Sequence, residues 1–301
     1  MRLGAVVRNS GGDAVRAVRE LPQHAEELGF DSVWFTDHVI GARAFEPVYE
    51  PEWVEALTAL SYLASATRRI RIGVSVMVAP YRDPVYAAKV LSSIDNLSDG
   101  RLVVGIGAGW SRTEYRALGK AELYPDRGKV TDEVLALMRR CWQGGEMGWS
   151  GEHFEFTHMI FGPTPVQRSG PPLLIGGQSR PAIRRAASFG DAWHPTGQNA
   201  AQVVALGGEL DQLAGRSIPR VPRISVDHAE PGDLESQLDS YQAAGCAGLV
   251  VASTARTVED QLRFMDLLAD AARGRGLLTD EADGLRHCDH RDDRQRNEIG
   301  S

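Results

Sequence analysis

Two residues with the types needed for proton transfer stand at the end of a short apolar segment. Asp37 and His38 follow Ser32 to Thr36, which is predicted to be a strand. Imidazole gains and loses a proton near neutral pH, so His38 with Asp37 beside it is a candidate acid/base in a redox step. The alternative is that Asp37 caps a turn while His38 packs in the loop. The spacing alone does not decide between these interpretations.

A second candidate segment begins with the apolar run Leu102 to Ile106 and ends in three alternating glycines, Gly105, Gly107 and Gly109. The glycine spacing and its place on the fourth predicted strand do not fit a dinucleotide-binding fingerprint. The glycines instead predict a close approach of the backbone to a ring system. Thr113 and Glu114 follow about one turn later and are expected to reach the same ligand.

A third segment, Leu174 to Arg180, carries the strongest signal for an anion. Gly176 and Gly177 follow a predicted strand and lead into a helix that begins near Ser179. Exposed backbone N–H groups at a helix N-terminus, together with the charge of Arg180, favour a phosphate. The alternative is a tight turn that merely requires glycine.

The end of another predicted strand adds Trp193 and His194. Both are expected to line the pocket beside the predicted phosphate site. The alternative for His194, which precedes Pro195, is a loop histidine whose hydrogen bonds are satisfied locally.

Eight apolar segments, most of them followed by a segment of helical periodicity, must position these residues. The predicted strands are Leu3 to Val7, Ser32 to Thr36, Ile70 to Val78, Leu102 to Ile106, Pro172 to Ile175, Asp191 to His194, Arg223 to Val226 and Gly248 to Ala252. The predicted helices are Asp13 to Leu28, Trp53 to Ala66, Pro84 to Leu97, a helix around Thr131 to Trp142, Arg180 to Ser188, Ala200 to Leu213, Leu234 to Ala243 and Val258 to Arg273. Eight repeats of one unit favour a closed (β/α)8 TIM barrel over a doubly wound sheet.

Residues 1–273 are predicted to form a single barrel domain, with an insertion at about 144–170 after the fourth unit. The insertion is rich in glycine, proline and aromatic residues, and His153 to Phe161 suggests a small hairpin. Apolar periodicity ends at Gly274, so residues 274–301 are predicted to be a disordered tail. No metal site is predicted, because the His287, Cys288 and His290 side chains in this tail lack supporting neighbours.

Composition narrows the possible partners. The formal net charge is -7 and the arginines are spread along the chain, which argues against a nucleic-acid partner. No apolar run reaches the roughly 18 residues of a membrane span, and the first residues do not form a signal-peptide pattern. The three cysteines are far apart, which suits reduced thiols rather than a disulfide framework. The expected location is the cytoplasm.

The sequence resembles the luciferase-like monooxygenase superfamily, and within it the branch of oxidoreductases that depend on the deazaflavin coenzyme F420. The resemblance is carried in family order by the segments Glu27 to His38, Ile72 to Val76, Pro80 to Pro84, Leu97 to Trp110 and Pro171 to Gln178. Several ordered motifs are far more specific than any one of them alone.

The resemblance implies a (β/α)8 barrel with an insertion that holds a flavin or deazaflavin at the carboxyl ends of its strands. Asp37 and His38 would face the cofactor ring, and His38 would be the acid/base. Ser75 and Val76 would form a non-prolyl cis peptide bulging against the ring. The remaining cofactor contacts would come from the glycine-rich segments and their neighbours, Gly107, Gly109, Thr113, Gly176, Gly177, Gln178, Ser179 and Arg180.

The sequence departs from the sugar-phosphate dehydrogenases of the superfamily at one position. Those enzymes carry a glutamate just after the glycines of strand four, and this chain carries Trp110. A bulky apolar wall at this place predicts a substrate less polar than a sugar phosphate.

The leading hypothesis is hydride transfer between F420 and a small organic substrate. One alternative is an FMN-dependent monooxygenase that receives reduced flavin from a separate reductase. Another is a flavin-binding relative without catalysis. The resemblance also implies a homodimer, and the sequence does not identify the substrate.

Overall fold

The apolar segments form eight parallel strands and the periodic segments form helices around them, as seen in a computed structural model that describes residues 1–41 and 52–278. The strands are β1 Arg2–Val6, β2 Ser32–Phe35, β3 Arg71–Val78, β4 Leu102–Gly107, β5 Gly145–Ser150, β6 Glu155–Phe161, β7 Leu173–Gly176, β8 Ala192–His194, β9 Arg223–Val226 and β10 Gly248–Ser253. The helices are α1 Ala14–Glu27, α2 Ala56–Ala66, α3 Pro84–Leu97, α4 Arg112–Ala117, α5 Arg127–Trp142, α6 Arg180–Phe189, α7 Ala200–Ala214, α8 Leu234–Ala243 and α9 Val258–Arg273.

The eight parallel strands form one sheet in the order β8, β7, β4, β3, β2, β1, β10, β9. Its two edges meet, because Trp193 pairs with Arg220 and Thr196 pairs with Arg223 through isolated bridges. The amide of Trp193 also donates to the carbonyl of Pro219 at 2.8 Å. The sheet is therefore a nearly closed TIM barrel, and the predicted fold class is confirmed.

Most of the core lies between the barrel and its helices, while a smaller cluster fills the barrel interior. Trp34 is its largest member and is 3% exposed. A Cβ atom at Gly73 would lie 2.5 Å from the Trp34 ring, and one at Gly4 would lie 2.7 Å from its Nε1 atom. Glycine at these two strand positions therefore makes room for the indole ring.

The predicted insertion contains the antiparallel hairpin of β5 and β6, which is longer than the predicted His153 to Phe161. Its tip is tied to helix α5 by the Glu133 carboxylate. This group accepts hydrogen bonds from the Trp149 indole and from the amides of His153 and Phe154, at 2.9 to 3.1 Å. The first hairpin strand escaped prediction because most of its side chains are at least partly exposed and give no apolar pattern.

Some helix boundaries differ from the prediction. Helix α2 begins at Ala56 rather than Trp53, because the Glu55 side chain caps it by accepting the Thr58 amide. Helix α9 ends at Arg273 as predicted, yet Leu278 beyond it is still buried. Residues 279–301 of the predicted tail lie outside the described residues.

Within residues 1–41 and 52–278, no helix is both long and apolar enough to cross a membrane.

Candidate active site

The predicted site residues at the ends of β2, β3, β4 and β7 meet at one end of the barrel. Parallel strands end at the same edge, so residues far apart in sequence converge there. The Val76 side chain lies against both Gly107 and Gly176, and the His38 ring lies near Trp110. This end of the barrel is therefore the candidate active site.

Val76 occupies a bulge in β3, where the pairing with β4 shifts register between Val74 and Met77. The Ser75–Val76 peptide bond is cis, as the resemblance implies. The Val76 side chain is partly exposed and projects across the neighbouring strand ends.

The neighbouring glycines make room for this bulge. A Cβ atom would lie 2.6 Å from Val76 Cγ2 at Gly107, 2.9 Å from Val76 Cγ1 at Gly176, and 2.3 Å from the Val74 carbonyl oxygen at Gly105. Such distances exclude any side chain without local movement. The glycines were predicted to admit a ring system directly, and the structure adds that they first accommodate Val76.

His38 is fixed by Glu114, a residue 76 positions away in sequence. The Nδ1 atom of His38 lies 2.9 Å from Glu114 Oε2. The Val39 amide donates to the other carboxylate oxygen at 2.9 Å. The Tyr81 hydroxyl donates to Oε2 at 3.1 Å. One carboxylate on α4 therefore positions both the His38 ring and the backbone that follows it.

The electrostatics of this group favour an ionised Glu114. Burial alone would raise the pKa of the Glu114 carboxyl group, but hydrogen bonds from His38 and the Val39 amide outweigh burial and hold this pKa below its ordinary value. Burial raises the pKa of Tyr81, and the Glu114 carboxylate adds to this effect. Tyr81 therefore remains a protonated donor.

Two tryptophans flank His38. The Trp53 ring centroid lies 4.7 Å from that of His38, and the Trp110 ring meets it edge-on at 6.0 Å. The His38 side chain is 20% exposed, and Trp110 is 50% exposed. The imidazole thus reaches the surface between aromatic walls.

Asp37 has a different role from the one expected. It was predicted to stand beside His38 facing the cofactor, but its buried carboxylate forms a bidentate pair with Arg82 at 2.7 Å and accepts the Val78 amide at 2.8 Å. Arg82 also donates to Glu55 at 2.6 Å. Asp37 therefore joins the end of β2 to the segment after β3 and does not pair with His38.

The segment after β7 retains the features of an anion site. Gly177 has a φ of +94°, which favours glycine. Ser179 caps helix α6, with its Oγ accepting the Ala182 amide at 3.4 Å. Gln178, Ser179 and Arg180 are all exposed around this helix start. The backbone and the Arg180 charge can therefore meet an anion here.

The remaining predicted residues divide between the site and the core. Gly109 has a φ of +72°, and its carbonyl accepts Arg127 Nε at 3.2 Å. Thr113 is exposed on α4. Trp193 does not line the pocket, because adjacent strand residues face opposite sides of a sheet. Its ring lies in the core, and its indole donates to the Gly177 carbonyl at 2.8 Å.

His194 lies in the barrel interior and is fully buried. Its Nε2 atom lies 2.7 Å from Ser75 Oγ, and its Nδ1 atom lies 2.5 Å from the Val221 carbonyl oxygen. The ring stacks on Trp34 with centroids 5.5 Å apart. His194 was expected to line the pocket, and the structure places it beneath the bulge instead.

The fold and this site define a TIM barrel with a histidine hydrogen-bonded to a buried carboxylate and an apolar ridge, formed by Val76, at the carboxyl ends of its strands. The sequence profile of the luciferase-like monooxygenase family matches residues 2–293. The chain therefore belongs to this family.

Two curated relatives show the range of cofactors among similar proteins. The chain is 28% identical over 201 residues to the FMNH2-dependent dimethylsulfone monooxygenase of Pseudomonas putida, covering 66% of this chain and 53% of that protein. It is 29% identical over 180 residues to the F420-dependent glucose-6-phosphate dehydrogenase of Amycolatopsis mediterranei, covering 59% of this chain and 52% of that protein. The chain spans about half the length of the curated relatives it matches.

Solved structures with the same fold include an F420-dependent secondary alcohol dehydrogenase in complex with an F420-acetone adduct. The TM-score is 0.76 at 16% identity, covering 90% of this chain and 99% of that chain. At this identity the likeness shows the fold alone.

Proposed function

We propose that this protein is an oxidoreductase that binds F420 at the candidate active site and transfers a hydride between it and a small organic substrate. The observation that carries the proposal is the His38 and Glu114 pair at the same end of the barrel as the Val76 ridge. An acid/base group and an apolar support that share one strand-end site are what hydride transfer coupled to proton transfer requires.

The residues present fit a flat cofactor that bears a phosphate. Val76 provides an apolar ridge bordered by Gly107 and Gly176, which themselves carry no side chain. The left-handed turn at Gly177 and the start of α6 at Arg180 provide backbone N–H groups and a positive charge. When bound, the deazaflavin supplies or accepts the hydride.

His38 is assigned the proton. Its Nδ1 atom faces the Glu114 carboxylate, which in its ionised form can only accept a hydrogen bond, so Nδ1 carries a proton. Exchange with the substrate therefore takes place at Nε2. Glu114 keeps the ring oriented.

The position of Trp110 supports an apolar or weakly polar substrate. Its ring is half exposed and stands edge-on to His38, so a substrate that reaches the imidazole also contacts the indole. A sugar phosphate would bring its polar groups against this wall.

A second candidate function is an FMN-dependent monooxygenase supplied with reduced flavin by a separate reductase. The observation that favours it is the similarity to the FMNH2-dependent dimethylsulfone monooxygenase of Pseudomonas putida. Both cofactors carry a tricyclic ring and a phosphate, so the same residues would hold either one.

Titration of the purified protein with F420 and with FMN separates the two functions. We expect tighter binding of F420. A preference for FMN by tenfold or more, about 1.4 kcal/mol, would favour the monooxygenase function instead.

The phosphate position is tested with a Gly177→Asp variant, which adds a carboxylate and a Cβ atom at a φ of +94°. We expect cofactor affinity to fall at least a hundredfold, about 2.7 kcal/mol. Gly215→Asp is the matched control, because Gly215 also has a positive φ but ends α7 at the opposite end of the barrel. Unchanged affinity in a folded Gly177→Asp protein would place the phosphate elsewhere.

We also propose that residues 1–273 act as one catalytic domain and that the protein is a homodimer. Sedimentation equilibrium of the full chain tests the second point. A monomer at micromolar concentration would contradict it.

A further inference from the structure

A buried polar group lies directly beneath the Val76 ridge and has no part in the proton transfer assigned to His38. It consists of Ser75 and His194, which are 4% and 0% exposed, and their side chains lie 2.7 Å apart. Buried polar groups of this kind are costly unless their hydrogen bonds are complete. The arrangement of these bonds shows what the pair can do.

The direction of each hydrogen bond follows from its partner. The Val221 carbonyl can only accept, so Nδ1 of His194 carries the proton. Burial lowers the pKa of His194 to about 4, so the ring is neutral at working pH and its Nε2 atom is an acceptor. The Ser75 hydroxyl must therefore donate to Nε2.

The backbone of Ser75 is held from another direction. Nη1 of Arg223, at the start of β9, donates to the Ser75 carbonyl oxygen at 2.7 Å. The hydroxyl and the carbonyl of one residue are thus bound by side chains from two different strands of the barrel. Because Val76 follows directly, these bonds also fix the place of its side chain between Gly107 and Gly176.

The His194 ring has little freedom to move. It stacks on Trp34 at an interplanar angle of 20°, and Trp34 is enclosed by Gly4 and Gly73 and hydrogen-bonded to Ser32 Oγ at 2.9 Å. The barrel interior is therefore filled in layers up to the ridge. A ring on rigid support holds a hydroxyl with little entropic cost.

We propose that His194 is a positioning residue for the cofactor, which acts through the Ser75 hydroxyl to hold the Val76 ridge against which the cofactor ring rests. This inference rests on the proposed function, since it requires a flavin or deazaflavin at the mouth of the barrel. His194 itself does not touch the cofactor or substrate. Its contribution is to the affinity and environment of the bound ring.

The test is a double-mutant cycle with Ser75→Ala, His194→Leu and the double variant. The readouts are the dissociation constants for F420 and FMN, and the absorption spectrum of the bound cofactor. We expect each single variant to bind the cofactor about tenfold more weakly, the effect of one buried hydrogen bond. Both changes remove the same interaction. The double variant should therefore bind the cofactor no more weakly than whichever single variant has the lower cofactor affinity.

Ser92→Ala is the matched control. It removes another buried serine hydroxyl, which donates to the Pro163 carbonyl oxygen at 2.5 Å, but it lies on helix α3 outside the barrel strands. We expect it to lower stability and leave both the dissociation constant and the bound spectrum unchanged. An equal loss of affinity in this control would mean that general loosening of the interior explains the effect, and would overturn the inference.

Other outcomes are equally decisive. Effects of Ser75→Ala and His194→Leu that multiply in the double variant would show that the two residues act independently and would contradict the inference. If His194→Leu does not fold, the Ser75→Ala variant alone tests the inference. An unchanged cofactor affinity and an unchanged spectrum of the bound cofactor in this variant would refute the positioning role. A parent protein that binds neither cofactor would overturn the proposed function itself. A parent that binds cofactor, with variants that bind it equally well, would overturn only the role of His194.

Discussion

Glu114 offers the sharpest test of the proposed acid/base group, because one carboxylate organises several donors. Replacing it by alanine removes the acceptor for His38 Nδ1, for the Val39 amide and for the Tyr81 hydroxyl. The side chain of Glu114 is 3% exposed, so water does not readily take its place. We expect Glu114→Ala to lose both stability and turnover.

The expected loss of stability follows from the exposure of each donor. Tyr81 is buried and would be left without its acceptor, at a cost of about 1–3 kcal/mol. His38 and Val39 are partly or well exposed and can be rehydrated, so each contributes about 0.5–1 kcal/mol. The total is about 2–5 kcal/mol in the free energy of unfolding, a large share of the stability of a domain.

Glu114→Gln separates charge from shape. The amide oxygen can still accept one hydrogen bond, so the loss of stability should be smaller, while the hydrogen bond from His38 is no longer charge-assisted and orients the ring less firmly. We expect turnover to fall at least tenfold and the cofactor dissociation constant to stay within threefold of the parent value. Urea unfolding and steady-state kinetics measure the two effects.

The pH dependence of the same variant tests the electrostatic argument. The pKa of Glu114 is held below its ordinary 4.5 in the folded protein, so its carboxylate stabilises the fold fully above about pH 4.5. This contribution is lost as the pH falls through the lower folded-state value. The difference in unfolding free energy between the parent and Glu114→Gln should therefore be constant above about pH 5 and shrink in acid.

The matched control is Glu122→Ala, an exposed acidic residue in the turn that follows α4. It should change neither stability nor turnover measurably. The reasoning is refuted if Glu114→Ala unfolds at the parent urea concentration and turns over at the parent rate. It is also refuted if the stability difference for Glu114→Gln grows as the pH falls.

Two further variants test the division of roles around His38. The His38→Ala variant should bind cofactor and melt near the parent temperature, while its turnover, measured by stopped-flow and steady-state rates, falls about 10²- to 10⁴-fold. Loss of cofactor binding to the same extent would instead make His38 a residue that positions the cofactor ring. Asp37→Ala should lower the free energy of unfolding by about 1.5–3 kcal/mol, because it removes the bidentate acceptor of the mostly buried Arg82, which keeps its hydrogen bond to Glu55. A calorimetric melt unchanged from the parent would contradict this role.

The barrel could be predicted from sequence because parallel strands buried on both faces form nearly continuous apolar runs. The predicted helices Pro84 to Leu97 and Val258 to Arg273 match the structure at both ends. Helix α2 does not, since its start depends on a side-chain cap by Glu55 that apolar periodicity does not reveal. A helix boundary that is set by a side-chain cap can be located only when the hydrogen bonds at the helix end are known.

The partner of His38 could not be predicted from spacing. Asp37 is its neighbour in sequence, yet Asp37 turns away to Arg82 and the imidazole meets Glu114 on a different barrel unit. The sequence placed Glu114 near the same ligand, but its burial, which obliges the carboxylate to find hydrogen-bond donors, became evident only in the structure. That His38 is one of the donors to Glu114 became evident only from the folded structure.

Two pairs of adjacent residues near strand ends, one after β2 and one at the end of β8, lie in different surroundings. Asp37 ties two segments together while His38 reaches the surface, and Trp193 fills the outer core while His194 supports Ser75 from inside. Of the first pair, Asp37 therefore stabilises the scaffold, and His38 is the residue proposed to act in the site. Because the two functions lie on consecutive residues, single substitutions can separate them, and a loss of stability at Asp37 without a matching loss at His38 would be the clearest sign of that division.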